Sequence, residues 1–179
     1  MDVMGEEPGA NRTLPVVVKK VHTFFRKRGY TLSVAESCTG GLISHLITSL
    51  PGASAFFEAG VVSYSANAKK SILKVSSRCM RRYGVVSAET AREMAEKIRV
   101  LTGTDFSVST TGNLGPDVLE GKERGLVFIG VSTGKETRVK TLRLRGGREE
   151  NKERAAISAI GFLLDTALRE NSERNEPLK

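Results

Sequence analysis

Ser37 lies in the stretch AESCTGG, residues 35–41, where a hydroxyl, a thiol and a second hydroxyl run into two glycines. A strand-like segment precedes this stretch and a helix-like segment follows it, so Ser37 falls on a strand-to-helix turn. The amides of Thr39, Gly40 and Gly41 would begin that helix, where unpaired N–H groups attract anions and oxyanions. Taken alone, the stretch is better explained as a capped turn whose hydroxyls only accept helix N–H groups.

Two further stretches add reactive side chains at predicted strand ends. YSANAK, residues 64–69, leaves a strand for a helix and contributes Tyr64 and Lys69, and TTGNLGP, residues 110–116, follows another strand. Ligands of α/β proteins bind at the carboxyl ends of strands. Each stretch alone is weak evidence, because turns are usually rich in such residues, but three of them together indicate one shared crevice.

The elements that must position these residues follow from hydrophobic periodicity and from capping and stop residues. Helices are predicted at about residues 14–28, 42–50, 66–73, 88–102 and 148–169, and strands at about 31–36, 60–65, 106–111, 126–131 and 139–145. The apolar run 126–131 is typical of a central strand, and the alternating run 139–145 of an edge strand. We therefore predict one layered α/β domain over residues 14–170, with a flexible segment 1–13 and a polar tail 171–179.

The composition narrows the class of protein. The chain has 179 residues, of which 39% are apolar and 27% charged, as in ordinary globular domains. No apolar run is long enough to cross a membrane and the first residues do not resemble a signal peptide, so a cytoplasmic protein without membrane contact is expected. Cys38 and Cys79 are then reduced thiols. With His22 and His45 isolated, no metal site and no cofactor is predicted.

The net charge of +8 would suit nucleic acid or a small anionic substrate. The basic residues are scattered, and there is neither an aromatic RNA-binding strand nor a Cys/His finger. Most of this charge is therefore expected to be solvated surface, and a nucleic-acid partner is not favoured.

Four segments together resemble one family. AESCTGG, PGASAFFEAGVVSYSANAK, YGVVSAET and TTG–GP occur in this order and spacing in the CinA C-terminal family, and the resemblance covers residues 30–168. It implies a three-layer α/β/α sandwich that self-associates. It also implies cofactor-free hydrolysis of the carboxamide of nicotinamide mononucleotide to nicotinic acid mononucleotide and ammonia, a step of pyridine-nucleotide recycling.

The resemblance also implies roles for individual residues. The family's active-site serine, tyrosine and lysine fall on Ser37, Tyr64 and Lys69. Its hydroxyl residue before the first glycine of TG–GP falls on Thr111, and the arginine of its late G-x-R motif falls on Arg148.

The sequence departs from the family after Gly112. The family usually reads TGIAGP followed by a glycine pair, whereas this chain reads TGNLGPDVLEGKERG, with Asn113 and Leu114 in place of an apolar and a small residue. We expect Gly112 and Asn113 to contact substrate, because an amide can donate to or accept from a hydroxyl or phosphate. If this loop reads the nucleotide, the substrate differs, or the nucleotide binds without turnover.

Amide hydrolysis needs an activated nucleophile, a stabilised oxyanion and a proton for the leaving ammonia. No Ser-His-Asp set is available, so a pair of Ser37 with Lys69 is predicted, in which the lysine must have a lowered pKa. Tyr64 would relay or orient the proton, the amides of residues 39–41 would hold the oxyanion, and Arg148 would bind the substrate phosphate as a fork.

Other interpretations remain open at this point. Cys38 is a rival nucleophile, although a free cysteine beside a strand end is more often packing, and Glu36 is expected to bond backbone amides rather than act as an acid catalyst. A non-catalytic nucleotide-binding or protein-interaction module, and a weak nucleic-acid binder, are the alternatives from other classes.

Overall fold

The computed structural model describes residues 15–175. The strands of its sheet are β1 (Leu32–Glu36), β2 (Phe57–Val62), β3 (Phe106–Gly112), β4 (Leu126–Ser132) and β5 (Thr137–Arg143). The helices are α1 (Val16–Arg28), α2 (Leu42–Thr48), α3 (Ala66–Ser71), α4 (Ser77–Tyr83), α5 (Ala88–Thr102) and α6 (Arg148–Asn175), with a 3₁₀ turn at Ala53–Ala55. None of these helices has the length and apolar character that a membrane crossing requires.

The sheet is mixed and has the strand order β2-β1-β3-β4-β5. Strand β1 is parallel to both β2 and β3, whereas β4 is antiparallel to β3 and β5. Helix α5 packs on one face, and α1, α2 and α6 form the layer on the other. The predicted single-domain, three-layer α/β/α sandwich is confirmed, and the carboxyl ends of β1, β2 and β3 lie side by side.

Small side chains let α5 lie close to the centre of the sheet. The hydroxyls of Ser107 and Ser109 on β3 donate to the carbonyls of Ala95 and Ala91 on α5, both at 2.6 Å. A Cβ added at Gly130 of β4 would come within 2.5 Å of the Ala91 carbonyl oxygen. The serines of β3 therefore face a helix, and the strand is buried on both sides.

The opposite layer holds most of the apolar core. Phe25 of α1 is fully buried and its ring packs against Phe56, Tyr30 and Phe106, with ring centroids 5.7, 6.1 and 5.4 Å away. This cluster fixes the start of β1 and the entry to β2, so it sets the register of the strands whose far ends carry the reactive residues.

The structure differs from the sequence prediction in three places. Strand β2 begins earlier, at Phe57, and α4 was not predicted; Ser76 caps α4 by accepting from the amide of Cys79 at 3.3 Å. Helix α6 continues through part of the predicted tail to Asn175, because the sequence offers no glycine or proline between Gly161 and Pro177. The predicted flexible segment 1–13 lies outside the described residues.

Candidate active site

The turn after β1 is built around a buried carboxylate. Glu36, the last residue of β1, accepts hydrogen bonds from the amides of Gly41, Ile43 and Ser44 at 3.0, 3.1 and 2.9 Å. The hydroxyls of Thr39 and Ser44 donate to the same carboxylate at 2.6 and 2.8 Å. Glu36 therefore caps α2 and fixes the turn that carries Ser37, and its expected structural role is confirmed.

Ser37 and Lys69 meet beneath this turn. The Nζ of Lys69 donates to the Ser37 Oγ at 2.8 Å and to the carbonyl oxygens of Ser63 and Tyr64 at 2.9 and 3.5 Å. Ser65 accepts from the Ala68 amide at 3.0 Å and so starts α3 immediately after β2. Since β2 runs parallel to β1, this cap places Lys69 one helical turn above the adjoining strand end, within reach of the serine.

Lys69 is a buried cation without a carboxylate partner. Its side chain is only 2% exposed, and no salt bridge found within residues 15–175 includes it. Burial lowers the pKa of Lys69 to about 8, against a small opposing effect of the nearby Cys38 and Glu120. A substantial fraction of the amine is therefore neutral near physiological pH, and a neutral amine can accept the proton of a serine hydroxyl.

Cys38 sits beside this pair but has the opposite electrostatic character. Burial raises the pKa of the Cys38 thiol to about 12, although a hydrogen bond with Thr110 and the charge of Lys69 partly offset the effect. Because the thiolate is the reactive form, this geometry favours Ser37 over Cys38 as the nucleophile.

The polar groups of the three residues after Cys38 differ in whether they have hydrogen-bond partners. The hydroxyl of Thr39 is buried between Glu36 and the hydroxyl of Thr110, at 2.6 and 2.7 Å, and the amide of Gly41 is bound to Glu36. The amide of Gly40 donates to the Ser37 carbonyl at 3.2 Å. The amides of Gly40 and Gly41 were predicted to donate to an oxyanion, but in the structure both already donate to groups of the protein. Of the three amides of residues 39–41, that of Thr39 alone has no hydrogen-bond partner within residues 15–175.

The residues predicted at the end of β3 also turn inward. The hydroxyl of Thr111 donates to the Val85 carbonyl at 2.7 Å. A Cβ at Gly112 would meet the Leu126 carbonyl oxygen at 2.7 Å, so this glycine serves the pairing of β3 with β4. The substrate contacts predicted for Thr111 and Gly112 stay predictions.

Asn113 organises the loop that it begins. Its side chain is 3% exposed, its Nδ2 donates to the carbonyls of Leu119 and Lys122 at 3.1 and 3.3 Å, and its Oδ1 accepts from the Leu119 amide at 3.1 Å. We call residues 113–125 the β3–β4 loop. Asn113 was predicted to contact substrate, but in the structure its side-chain amide is hydrogen-bonded to the backbone of the loop.

A second set of contacts ties the β3–β4 loop to the turn before α5. Glu120 accepts from the amides of Val85 and Val86 at 2.7 and 3.3 Å. Partial burial acts to raise the pKa of Glu120, but these bonds together with Lys122 outweigh it and lower the pKa. The Nζ of Lys122 donates to the carbonyls of Tyr83 and Val86, both at 2.7 Å. Sequence reasoning did not single out Glu120 or Lys122; the only signal was their place in the segment that departs from the family.

Arg148 connects the β3–β4 loop to the end of β2. One guanidinium nitrogen donates to the Tyr64 hydroxyl at 2.7 Å and another to the Gly115 carbonyl. Tyr64 is 60% exposed, and only its backbone carbonyl approaches Lys69. The structure therefore places the tyrosine hydroxyl at the rim of the site rather than between Ser37 and Lys69.

The described residues include no cluster of three or more His, Cys, Asp or Glu side chains that could hold a metal ion. The groups that the structure does bring together are a serine and a lysine at the floor of the site, with a tyrosine and an arginine at its rim.

Fold and site define a three-layer α/β/α domain with a buried Ser–Lys pair at the carboxyl end of its parallel strands. The chain belongs to the CinA family: the family model of the CinA C-terminal domain matches residues 16–167. The recognition made from the four sequence segments is confirmed.

Relatives of known sequence carry this region as part of a longer protein. A protein of Caldanaerobacter subterraneus subsp. tengcongensis is 47% identical over 139 residues, which are 77% of this chain and 34% of the relative. One of Bacillus subtilis is 41% identical over 148 residues, 83% of this chain and 36% of the relative. Both have the provisional name competence-damage inducible protein. The chain thus spans about a third of the length of these relatives.

Solved structures match nearly the whole domain. The competence damage-inducible protein A of Klebsiella pneumoniae superimposes with a TM-score of 0.82 at 28% identity, covering 84% of this chain and 94% of that one. A CinA superfamily protein of Enterobacter cloacae gives 0.83 at 29% identity, covering 93% and 98%.

Proposed function

We propose that this protein is an amidohydrolase that converts nicotinamide mononucleotide to nicotinic acid mononucleotide and ammonia, with Ser37 as nucleophile and Lys69 as its base. One observation carries the proposal: a buried lysine without a carboxylate partner donates to the serine Oγ at 2.8 Å. The family resemblance supplies the substrate.

The geometry supports a covalent route in two halves. Neutral Lys69 takes the proton from Ser37 as the Oγ attacks the carboxamide carbon, which gives a tetrahedral oxyanion. When that intermediate collapses, the carbon–nitrogen bond breaks and protonated Lys69 returns the proton to the leaving amine, which departs as ammonia. Water then attacks the acyl-enzyme with Lys69 again as base, releasing the carboxylic acid and restoring the Ser37 hydroxyl.

Three further groups fit this route. The amide of Thr39 lies two residues beyond the nucleophile and is unpartnered in residues 15–175, so it can donate to the developing oxyanion. Tyr64 and Arg148, joined by a hydrogen bond at the rim, would orient the nucleotide rather than transfer the proton.

Ammonia release from nicotinamide mononucleotide by the purified protein tests the proposal, with nicotinic acid mononucleotide measured as the second product. We expect equal amounts of both, and we expect turnover to survive exhaustive chelation of divalent ions. Loss of activity that zinc or another divalent ion restores would rule out a mechanism that needs only Ser37 and Lys69.

Binding of the nucleotide without ammonia release would instead support the alternative of a non-catalytic module of the CinA family. The inward orientation of Thr111 and Asn113 favours this second candidate, because two predicted substrate contacts are used within the protein. Self-association and a cytoplasmic location stay predictions.

A further inference from the structure

A lysine lies one helical turn beyond Arg148, against the turn that carries Ser37. Lys152 and Arg148 are four residues apart on α6 and therefore share one side of the helix. The Cε of Lys152 is 3.9 Å from the place that a Cβ would occupy at Gly40. Gly40 is three residues from Ser37, so the backbone between them spans at most about 11 Å. The Gly40 amide donates to the Ser37 carbonyl at 3.2 Å, so Lys152 lies against the same turn as the proposed nucleophile.

Lys152 has no acidic partner among the residues that the structure describes. Within residues 15–175 no hydrogen bond or ion pair includes its ammonium group, whereas nearby Arg154 pairs with Glu150 at 3.3 Å. Its side chain is partly buried. Partial burial of a cation without a counter-charge costs solvation free energy, and an anionic ligand would offset that cost.

Arg148 is in a different situation, because the protein already uses its guanidinium. It donates to the Tyr64 hydroxyl and to the Gly115 carbonyl, which occupy two of its five N–H groups. Arg148 therefore holds the rim together as well as offering charge. Of the two cations on this side of α6, Lys152 is the one that no group within residues 15–175 compensates.

We propose that Lys152 is a specificity-determining residue that binds the phosphate group of the mononucleotide substrate, beside Arg148. This inference rests on the proposed function for the identity of the substrate. A phosphate monoester carries close to two negative charges at neutral pH, and a lysine ammonium is a compact charge that suits it. A nucleoside without the phosphate leaves Lys152 unpaired, so the site selects nucleotides over nucleosides.

Steady-state kinetics of Lys152→Gln on two substrates test the proposal. With nicotinamide mononucleotide we expect KM to rise about tenfold or more while kcat changes little, because the lost contact is the same in ground and transition states. With nicotinamide riboside, which lacks the phosphate, we expect no change between wild type and variant. Lys152→Arg should recover most of the affinity, which also shows that position 152 tolerates substitution.

Arg154→Gln is the matched control, because it removes one positive charge from the same helix at an exposed residue already paired with Glu150. Its KM for nicotinamide mononucleotide should stay at the wild-type value. Equal KM values for Lys152→Gln and Arg154→Gln would overturn the proposal, and so would an equal loss on nucleotide and nucleoside.

A binding measurement separates failure of this inference from failure of the proposed function. If the wild type releases no ammonia, calorimetric titration with ribose 5-phosphate still reports on the phosphate site. Weaker binding to Lys152→Gln than to Arg154→Gln would then support the role of Lys152 in a non-catalytic protein. Equal binding to both variants, or no binding to the wild type, would overturn it.

Discussion

The Ser37–Lys69 pair, at the ends of β1 and β2, and the loop after β3 lie at the same edge of the sheet, yet their polar groups are partnered in opposite ways. At the first, the Lys69 ammonium is buried beside Ser37 with only neutral hydrogen-bond partners. At the second, Asn113 and Glu120 are satisfied by the backbone of their own surroundings. The Lys69 ammonium therefore has no counter-charge beside it within residues 15–175, whereas the side chains of Asn113 and Glu120 have hydrogen-bond partners for their polar atoms.

Whether a buried polar group has a partner distinguishes reactive from structural residues better than the residue type does. A buried charge without a counter-charge destabilises the folded state, and it shifts its pKa toward the neutral form. Such a group is a candidate for proton transfer. A saturated amide or carboxylate instead contributes to the stability of a loop.

The largest effect is expected at the nucleophile. Ser37→Ala should lower kcat about a thousandfold or more, because no covalent intermediate can form, while the melting temperature changes little. Cys38→Ala is the matched control at the adjacent position and should keep most of the activity, since the raised pKa of Cys38 leaves its thiol protonated. Ammonia release and thermal unfolding of both variants give the answer. An inactive Cys38→Ala beside an active Ser37→Ala would move the chemistry to the thiol.

A loss of about a hundredfold or more is expected for Lys69→Arg, because a guanidinium keeps its proton and cannot act as a base. Lys70→Arg, the same change at the exposed neighbouring lysine, should be neutral. Near-normal turnover of Lys69→Arg would mean that Lys69 contributes only a positive charge and does not act as the base.

The pH dependence of kcat/KM also tests whether Lys69 acts as the base. The reactive form of Lys69 is the neutral one, so kcat/KM of the wild type should rise with pH up to the folded-state pKa of about 8 and level off above it. Rates of ammonia release from pH 6 to pH 10 measure this. A flat profile across that range would contradict general-base catalysis by this lysine.

The sequence predicts this contrast only in part. The strand-to-helix turns at Ser37 and before Lys69 follow from periodicity, so the pair could be anticipated from local patterns together with the resemblance, whereas the cap that Ser65 supplies is seen only in the structure. That Asn113 faces its own loop could not be anticipated. Its partners Leu119 and Lys122 are main-chain groups, and main-chain hydrogen bonds leave no mark on residue types.

The partners of Arg148 could not be predicted from the sequence either. Its chemical type suggested a phosphate ligand, and nothing in the sequence indicated that Tyr64, 84 residues away, would share its guanidinium. Lys152 escaped notice because a lone lysine on a predicted helix is normally solvated. Only the three-dimensional neighbourhood of Gly40 and the lack of a partner distinguish it.

The smallest effect on catalysis, and a clear effect on stability, is expected for Asn113→Ala. Removing this side chain takes the only side-chain partner from the Leu119 amide and the Lys122 carbonyl, both partly buried hydrogen bonds, while the Leu119 carbonyl still accepts from the Lys122 amide; the free energy of unfolding should fall by about 2 kcal/mol. The expected rise of KM is modest, because the β3–β4 loop stays tied through Glu120 and Arg148. Asn67→Ala, at an exposed asparagine on α3, is the control and should change neither quantity. Urea unfolding and KM for nicotinamide mononucleotide, measured on both variants, decide between the two roles of Asn113. A large rise in KM with unchanged stability would mean that Asn113 contacts substrate directly, and the contrast between the two regions would then fail at its central residue.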